Sequence, residues 1–95
     1  MSKTYTVPHS CELGELSIVL LPQSQLKSYL PADEAPLEAK ENLIYECLLN
    51  CVRDLQGNQV WTNKESLANE VPAKYVGELY LAVINKNQPD FSKKN

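Results

Sequence analysis

The residues best suited to bind a metal are the three cysteines and the single histidine of the chain. Cys47 and Cys51 lie four positions apart, so one face of a helix would carry both thiols. A tetrahedral zinc site would also need Cys11 and His9. Neither short pair has zinc-finger spacing, and Cys47 and Cys51 fall within an apolar stripe, where a free cysteine behaves as a small hydrophobic residue. We therefore predict structural thiols, with no metal and no cofactor.

Residues that could carry out catalysis are also sparse. His9 has no Ser, Cys or carboxylate at a spacing typical of a catalytic triad. The glycines Gly14, Gly57 and Gly77 do not form a phosphate-binding loop. Paired carboxylates for acid–base chemistry need a cleft that a helical domain of this size rarely encloses. We predict that the protein is not an enzyme.

The composition is that of a single small globular domain. The 95 residues are 43% hydrophobic and 22% charged, with a net charge of −3. This acidic balance, without clustered Lys or Arg, gives no attraction to nucleic acid or to an anionic membrane. The longest apolar run, Leu16 to Leu21, is far shorter than the roughly 20 residues that span a bilayer. Three cysteines without framework spacing favour a reducing compartment, so we predict a cytoplasmic protein.

The N-terminal third indicates one buried strand and one short helix. β-Branched and leucine residues between Gly14 and Pro22 predict a strand over residues 15–21. Residues 4–7 are a candidate partner in a hairpin, and they can form only a short strand because Pro8 cannot donate to a central ladder. A helix is predicted over residues 23–30.

Helical periodicity dominates the rest of the chain. Pro36 suits the first position of a long helix from Leu37 to about Asp54. Its core-facing stripe consists of Ile44, Cys47, Leu48, Cys51, Val52 and Leu55. A turn at residues 56–58 ends this helix, and the following extended segment is expected to place Trp61 in the core.

Two further helices follow Trp61. Thr62 and Glu65 predict a capping box that starts a short helix over residues 63–70. Pro72 breaks this helix and starts the last one, which ends at about residue 86. The elements together predict a mainly α fold of α+β character. It is a small single domain of residues 1–95 with a short N-terminal strand or hairpin and about four helices. Residues 1–14 and 87–95 are candidates for flexible segments.

The aromatic residues are candidates for a binding surface, because Tyr and Trp are enriched at protein interfaces. So small a core cannot bury all of them fully. Core packing accounts for Trp61 and Tyr80, whereas Tyr45 and Tyr75 lie at the edges of the helical stripes. We predict that Tyr45 and Tyr75 contact a protein partner. Self-association is left open.

A DNA-binding regulator is an alternative, because residues 63–86 have the outline of a helix-turn-helix. The second helix of this outline would be the recognition helix. Its first turns carry Lys74 and Glu78, a single cation and a single acid. These charges are too few to hold phosphates or to read guanine. A generic protein-interaction module is the other alternative.

A pattern of turn and core residues runs through the C-terminal half of the chain. A long helix is followed by a turn with Asp and Gly, an aromatic residue, a short helix with a Leu, and a terminal amphipathic helix opened near a Pro. These positions are Asp54, Gly57, Trp61, Leu67 and Pro72. Over residues 40–87 the pattern resembles the tail assembly chaperones of long-tailed, lambda-like phages and prophages.

This resemblance implies a non-enzymatic viral protein made in the cytoplasm of the infected or lysogenic host. It would bind the tape-measure protein and tail-tube subunits while the tail is built, and it would be absent from the mature virion. In many such families a programmed translational frameshift yields a longer product with a tail-tube-binding extension. Residues 92–95 are compatible with an A-rich slippery sequence, which predicts such a product here. The resemblance transfers no binding residue.

Overall fold

The computed structural model describes residues 5–88, which form a sheet covered by helices. The elements are β1 (Tyr5–Cys11), β2 (Gly14–Leu20), α1 (Gln23–Ser28), α2 (Leu37–Cys51), β3 (Val52–Arg53), α3 (Lys64–Glu70) and α4 (Ala73–Asn87). The strands form an antiparallel sheet in the order β1-β2-β3. None of the helices in this range combines the length and the apolar character that crossing a membrane requires.

The prediction of a mainly α fold is wrong. The described residues are about 51% helical and 20% strand, and they form an α+β domain with a three-stranded antiparallel sheet and four helices. We expected at most a short strand or hairpin, but each strand of the N-terminal hairpin has seven residues. A third strand, β3, lies where the long helix was expected to continue.

Pro8 did not prevent a long first strand because β1 lies at the edge of the sheet. Within the described sheet β1 pairs with β2 alone, from Tyr5 opposite Leu20 to Cys11 opposite Gly14. A proline is tolerated in an edge strand, since one side of that strand needs no ladder donors. Gly14, at the end of the hairpin turn, has a φ angle of +109°, which favours glycine.

The long helix ends at Cys51 because the next two residues join the sheet. Val52 is extended, with φ −98° and ψ 124°. Val52 and Arg53 pair with Ile18 and Ser17 of β2. Val52 is fully buried in the strand. The apolar period had also predicted a buried Val52, but within a helix. Leu55, which the predicted helical stripe also placed in the core, is instead 58% exposed, because the chain has left the helix before it.

The core lies between the sheet and the helices. Its fully or almost fully buried side chains include Ile18, Cys47, Leu48, Cys51, Val52, Leu67, Leu79 and Val83. Trp61 is only 6% exposed, which confirms the prediction that its indole enters the core. The helices α2, α3 and α4 therefore pack on one shared core, which fixes their positions relative to one another.

The short helix α3 uses a different cap from the predicted one. The Asn63 Oδ1 atom accepts a hydrogen bond from the Ser66 N–H at 2.8 Å, so Asn63 is the N-cap. The Thr62 hydroxyl instead lies 3.2 Å from the Ser66 hydroxyl. The predicted Thr62–Glu65 capping box is therefore wrong. Asn is at least as good a cap as Thr, and the backbone geometry selects it here.

Candidate protein-binding groove

An apolar groove with a volume of about 280 Å³ opens between α2, α3 and α4. Its lining residues are Glu41, Ile44 and Tyr45 of α2, Ala68 of α3, Val71 of the connection, and Ala73, Val76 and Gly77 of α4. The groove exists because Ala68, Ala73 and Gly77 have too little side-chain volume to fill the space between the helices. It offers apolar contacts together with the carboxylate of Glu41.

Tyr45 lies in this groove. Its side chain is half-buried and packs against the core, while it also lines the groove beside Ile44. The position matches the sequence argument that Tyr45 stands at the edge of the apolar stripe. An aromatic side chain at such an edge can contact a partner without leaving the core.

Tyr75 lies elsewhere, although it was predicted to share a binding role with Tyr45. It lines a separate cavity of about 130 Å³ together with His9, Cys11, Glu78 and Leu79. Tyr75 precedes the groove residue Val76 on α4, and consecutive helical side chains project about 100° apart. The fold therefore places the two predicted tyrosines at different surfaces.

The cysteines occupy two environments. Cys47 and Cys51 are fully buried in the core. The neighbouring Cys51 thiol, together with burial, raises the pKa of the Cys47 thiol above its usual range, and the neighbouring Cys47 thiol lowers the pKa of Cys51. Cys11 is only half-buried, on β1. Within residues 5–88 no three His, Cys, Asp or Glu side chains come together in a group that could hold a metal ion.

Two tyrosines and an asparagine tie α1 to the main helices. The Tyr80 hydroxyl donates to the Tyr29 carbonyl oxygen at 2.6 Å, and Asn50 Nδ2 donates to the Tyr29 hydroxyl at 3.0 Å. Burial raises the pKa of Tyr29 and of Tyr80. These contacts are structural. Sequence reasoning missed Asn50 because it lies on the polar side of its helix.

Asp54 and Gly57, two positions of the C-terminal pattern of turn and core residues, stabilise the backbone loop after β3. Asp54 Oδ1 accepts hydrogen bonds from the N–H groups of Gln56 at 2.9 Å and Asn58 at 2.8 Å. The Asp54 N–H donates to the Asn58 carbonyl at 2.9 Å, and Gly57 has a φ angle of +89°. The loop carries the chain from β3 toward Trp61. These positions shape the fold and offer no reactive group.

A wider hollow of about 540 Å³ lies near the outer side of the sheet. Its lining residues are Thr6, Val19, Asn50, Arg53 and Gly57. The Arg53 guanidinium donates to the Asn50 carbonyl at 3.1 Å. Polar and apolar atoms line this hollow in similar measure, so it is less apolar than the groove beside Tyr45.

The helices proposed for DNA recognition are joined by Val71 and Pro72 alone. The exposed residues in the first turns of α4 include Lys74 and Glu78, whose charges cancel. This surface therefore has no electrostatic preference for a phosphate backbone.

The groove residues that sequence reasoning missed are mainly small. Ala68, Ala73 and Gly77 give no hydrophobic-period signal, and only the glycine inside a helical pattern was available as a hint. Comparison of the chain with protein-family models, curated proteins and solved structures finds no match.

Proposed function

We propose that this protein is a non-catalytic tail assembly chaperone of a long-tailed phage or prophage, which binds the tape-measure protein during tail morphogenesis. The observation that carries the proposal is the apolar groove beside Tyr45, between three helices. The family resemblance of residues 40–87 supplies the client. The chaperone would also contact tail-tube subunits.

The physical properties of such a client suit the groove. A tape-measure protein is long and helical, and its apolar faces need cover before the tail is complete. An amphipathic helix binds a hydrophobic groove through a few anchor side chains on one face. A groove of this size gives modest affinity for each copy, so several copies would bind along one client.

The motif positions support the proposal at the level of fold. Asp54 and Gly57 hold the loop after β3, and Trp61 and Leu67 are buried. A family that shares these positions would share the loop and the core that fix the helices around the groove. The chaperone would act in the host cytoplasm and leave before the virion is mature.

A longer frameshifted product belongs to the same proposal. The residues encoded by the suggested slippery sequence, 92–95, lie outside the described part of the chain. The gene sequence tests this element directly. An AAG codon for Lys94, or the absence of an overlapping downstream reading frame, would refute it.

Co-expression tests the proposed client. The tagged protein is produced together with the tape-measure and tail-tube proteins encoded beside it, and each is sought in the eluate. We expect the tape-measure protein to co-purify and to become more soluble than when it is produced alone. The matched control is an unrelated tagged protein of similar size and charge. Failure to recover the tape-measure protein would reject the proposal, and salt-sensitive retention on DNA would favour the regulator instead.

Tyrosine variants test the predicted contact residues. Tyr45→Ala should weaken tape-measure recovery, because Tyr45 lines the groove. Tyr75→Ala tests whether the second surface, beside His9 and Cys11, also takes part. Unchanged recovery with both variants would remove the tyrosines from the proposed interface.

A further inference from the structure

Gly77 occupies a position where nothing in the described structure requires a glycine. It lies in the interior of α4, and its φ angle is not positive. A Cβ atom added to it would meet no other atom within 4 Å. Glycine inside a helix is less favourable than alanine. Folding of residues 5–88 therefore does not explain the glycine at position 77.

Gly77 forms part of the groove wall. Its neighbours there include Ala73, one helical turn earlier, and Val76. Without side-chain atoms at Gly77, the backbone of an occupant can approach α4 closely. The lined part of α4, Ala73 to Gly77, is about 6 Å long. It therefore accepts one or two apolar side chains from about one turn of an occupant helix.

Glu41 supplies the charge that the occupant should complement. Among the described residues that line the groove, Glu41 alone is charged. The ion pair found within residues 5–88 joins Lys64 to Glu46, which leaves Glu41 without a cationic partner there. A carboxylate at the border of an apolar groove orients a partner more than it tightens the complex.

We propose that the groove binds an amphipathic helix of another protein, which packs an apolar side chain over Gly77 and places a Lys or Arg against Glu41. This inference rests on the proposed chaperone function and specifies how that function recognises its client. It identifies Gly77 as the point of closest approach and Glu41 as the residue that orients the helix.

Two designed peptides test the occupant. Both have about 18 residues and the same helical stripe of leucines. One carries lysines beside the stripe and the other carries glutamates at the same positions. Each is titrated into the ¹⁵N-labelled full chain, and amide shifts are followed by NMR. We expect the lysine peptide to shift the amides around Glu41, Tyr45 and Gly77, and the glutamate peptide to bind more weakly.

Variants with matched controls locate the contact. Gly77→Leu should weaken lysine-peptide binding by about tenfold or more by filling the groove. Asn85→Leu adds the same side chain at an exposed position of α4 outside the groove, and it should change affinity by less than about twofold. Glu41→Lys should reverse the preference between the two peptides, whereas Glu38→Lys, at an exposed position on the same helix but outside the lining, should not. Circular dichroism establishes that each variant is folded.

The outcomes distinguish this inference from the proposed function. Equal binding by folded Gly77→Leu, shifts confined to other surfaces, or no binding at about 1 mM peptide would overturn the groove assignment. A concentration-dependent dimer that Gly77→Leu abolishes would assign the groove to a second copy and also overturn it. If the tape-measure protein co-purifies equally with the wild type and with Gly77→Leu, the chaperone function is supported and the groove is rejected as the binding site. If the lysine peptide binds at Gly77 but no tape-measure protein is recovered, the groove is supported as a helix-binding site and the phage tail function is rejected.

Discussion

Asn87, the last residue of α4, is hydrogen-bonded to the backbone of Leu21, just after β2. The Asn87 Oδ1 atom accepts from the Leu21 N–H at 2.6 Å. Its Nδ2 group donates to the carbonyl oxygens of Val19 at 3.1 Å and Val83 at 2.9 Å. One amide side chain therefore fixes the end of a helix to the end of a strand, far along the chain from it.

Replacing Asn87 by alanine should reduce the free energy of unfolding by about 1–3 kcal/mol, because part-buried backbone groups lose their partners. Urea denaturation followed by circular dichroism measures the change. The control is Asn85→Ala, an exposed residue in the same last turn, which should have little effect. Equal stability of the two variants would show that the Asn87 bonds do not contribute.

Asp54 variants should separate hydrogen bonding from charge in the loop after β3. Asp54→Ala removes the acceptor for the Gln56 and Asn58 N–H groups, so we expect a loss of about 1–2 kcal/mol. Asp54→Asn keeps an oxygen acceptor and should lose less. Denaturation midpoints measure both, and a larger loss for Asn than for Ala would contradict this account of the loop.

Thr62 and Asn63 are the two residues before α3 that could cap its N-terminus, and their alanine variants can be compared directly. Asn63→Ala should destabilise the protein by about 1 kcal/mol, because the Ser66 N–H loses its cap. Thr62→Ala removes only a contact between two exposed hydroxyls and should cost less. Thermal or urea unfolding ranks them. The reverse order would restore the capping box that the sequence suggested.

Gly57 and Gly77 should respond to alanine with opposite signs. Gly57 has a φ angle of +89°, so Gly57→Ala introduces backbone strain and should destabilise by about 1 kcal/mol. Gly77 is helical and its missing Cβ has free space, so Gly77→Ala should stabilise by about 0.5–1 kcal/mol. Urea unfolding gives both values. A destabilised Gly77→Ala would mean that the isolated domain itself needs this glycine.

The raised pKa of the Cys47 thiol should lower stability in alkaline solution, whereas the lowered pKa of its neighbour Cys51 acts in the opposite direction. A raised folded pKa means that this contribution is complete below the ordinary thiol pKa of about 8.5 and is lost as pH rises above it. The half-buried phenols of Tyr29 and Tyr80, whose pKa is also raised, act in the same direction as Cys47 at higher pH. Urea midpoints measured from neutral to alkaline pH test the sign. Cys47→Ala should flatten the first part of the decline, and an unchanged slope would exclude this thiol as its source.

The sequence by itself determined where the helices lie and most of the buried residues on them. Helical periodicity is a local signal, so it predicted that α2 begins at Leu37 and that Cys47 and Cys51 face inward. Trp61 was placed in the core for a similar reason, because it follows a turn and has a large apolar ring. Each of these predictions used only residues that lie close together in the sequence.

The tertiary structure alone decided the class of the fold and the candidate site. Val52 lies outside the helix and pairs with Ile18 of β2. Pro8 is tolerated because β1 lies at the edge of the sheet. A local sequence pattern shows neither the strand that Val52 pairs with nor the position of β1 in the sheet. Tyr45 and Tyr75 look alike in sequence, yet packing assigns only Tyr45 to the groove. The groove itself comes from small side chains that meet across three helices. Such a space depends on distances between elements, which hydrophobic periodicity along the chain does not encode.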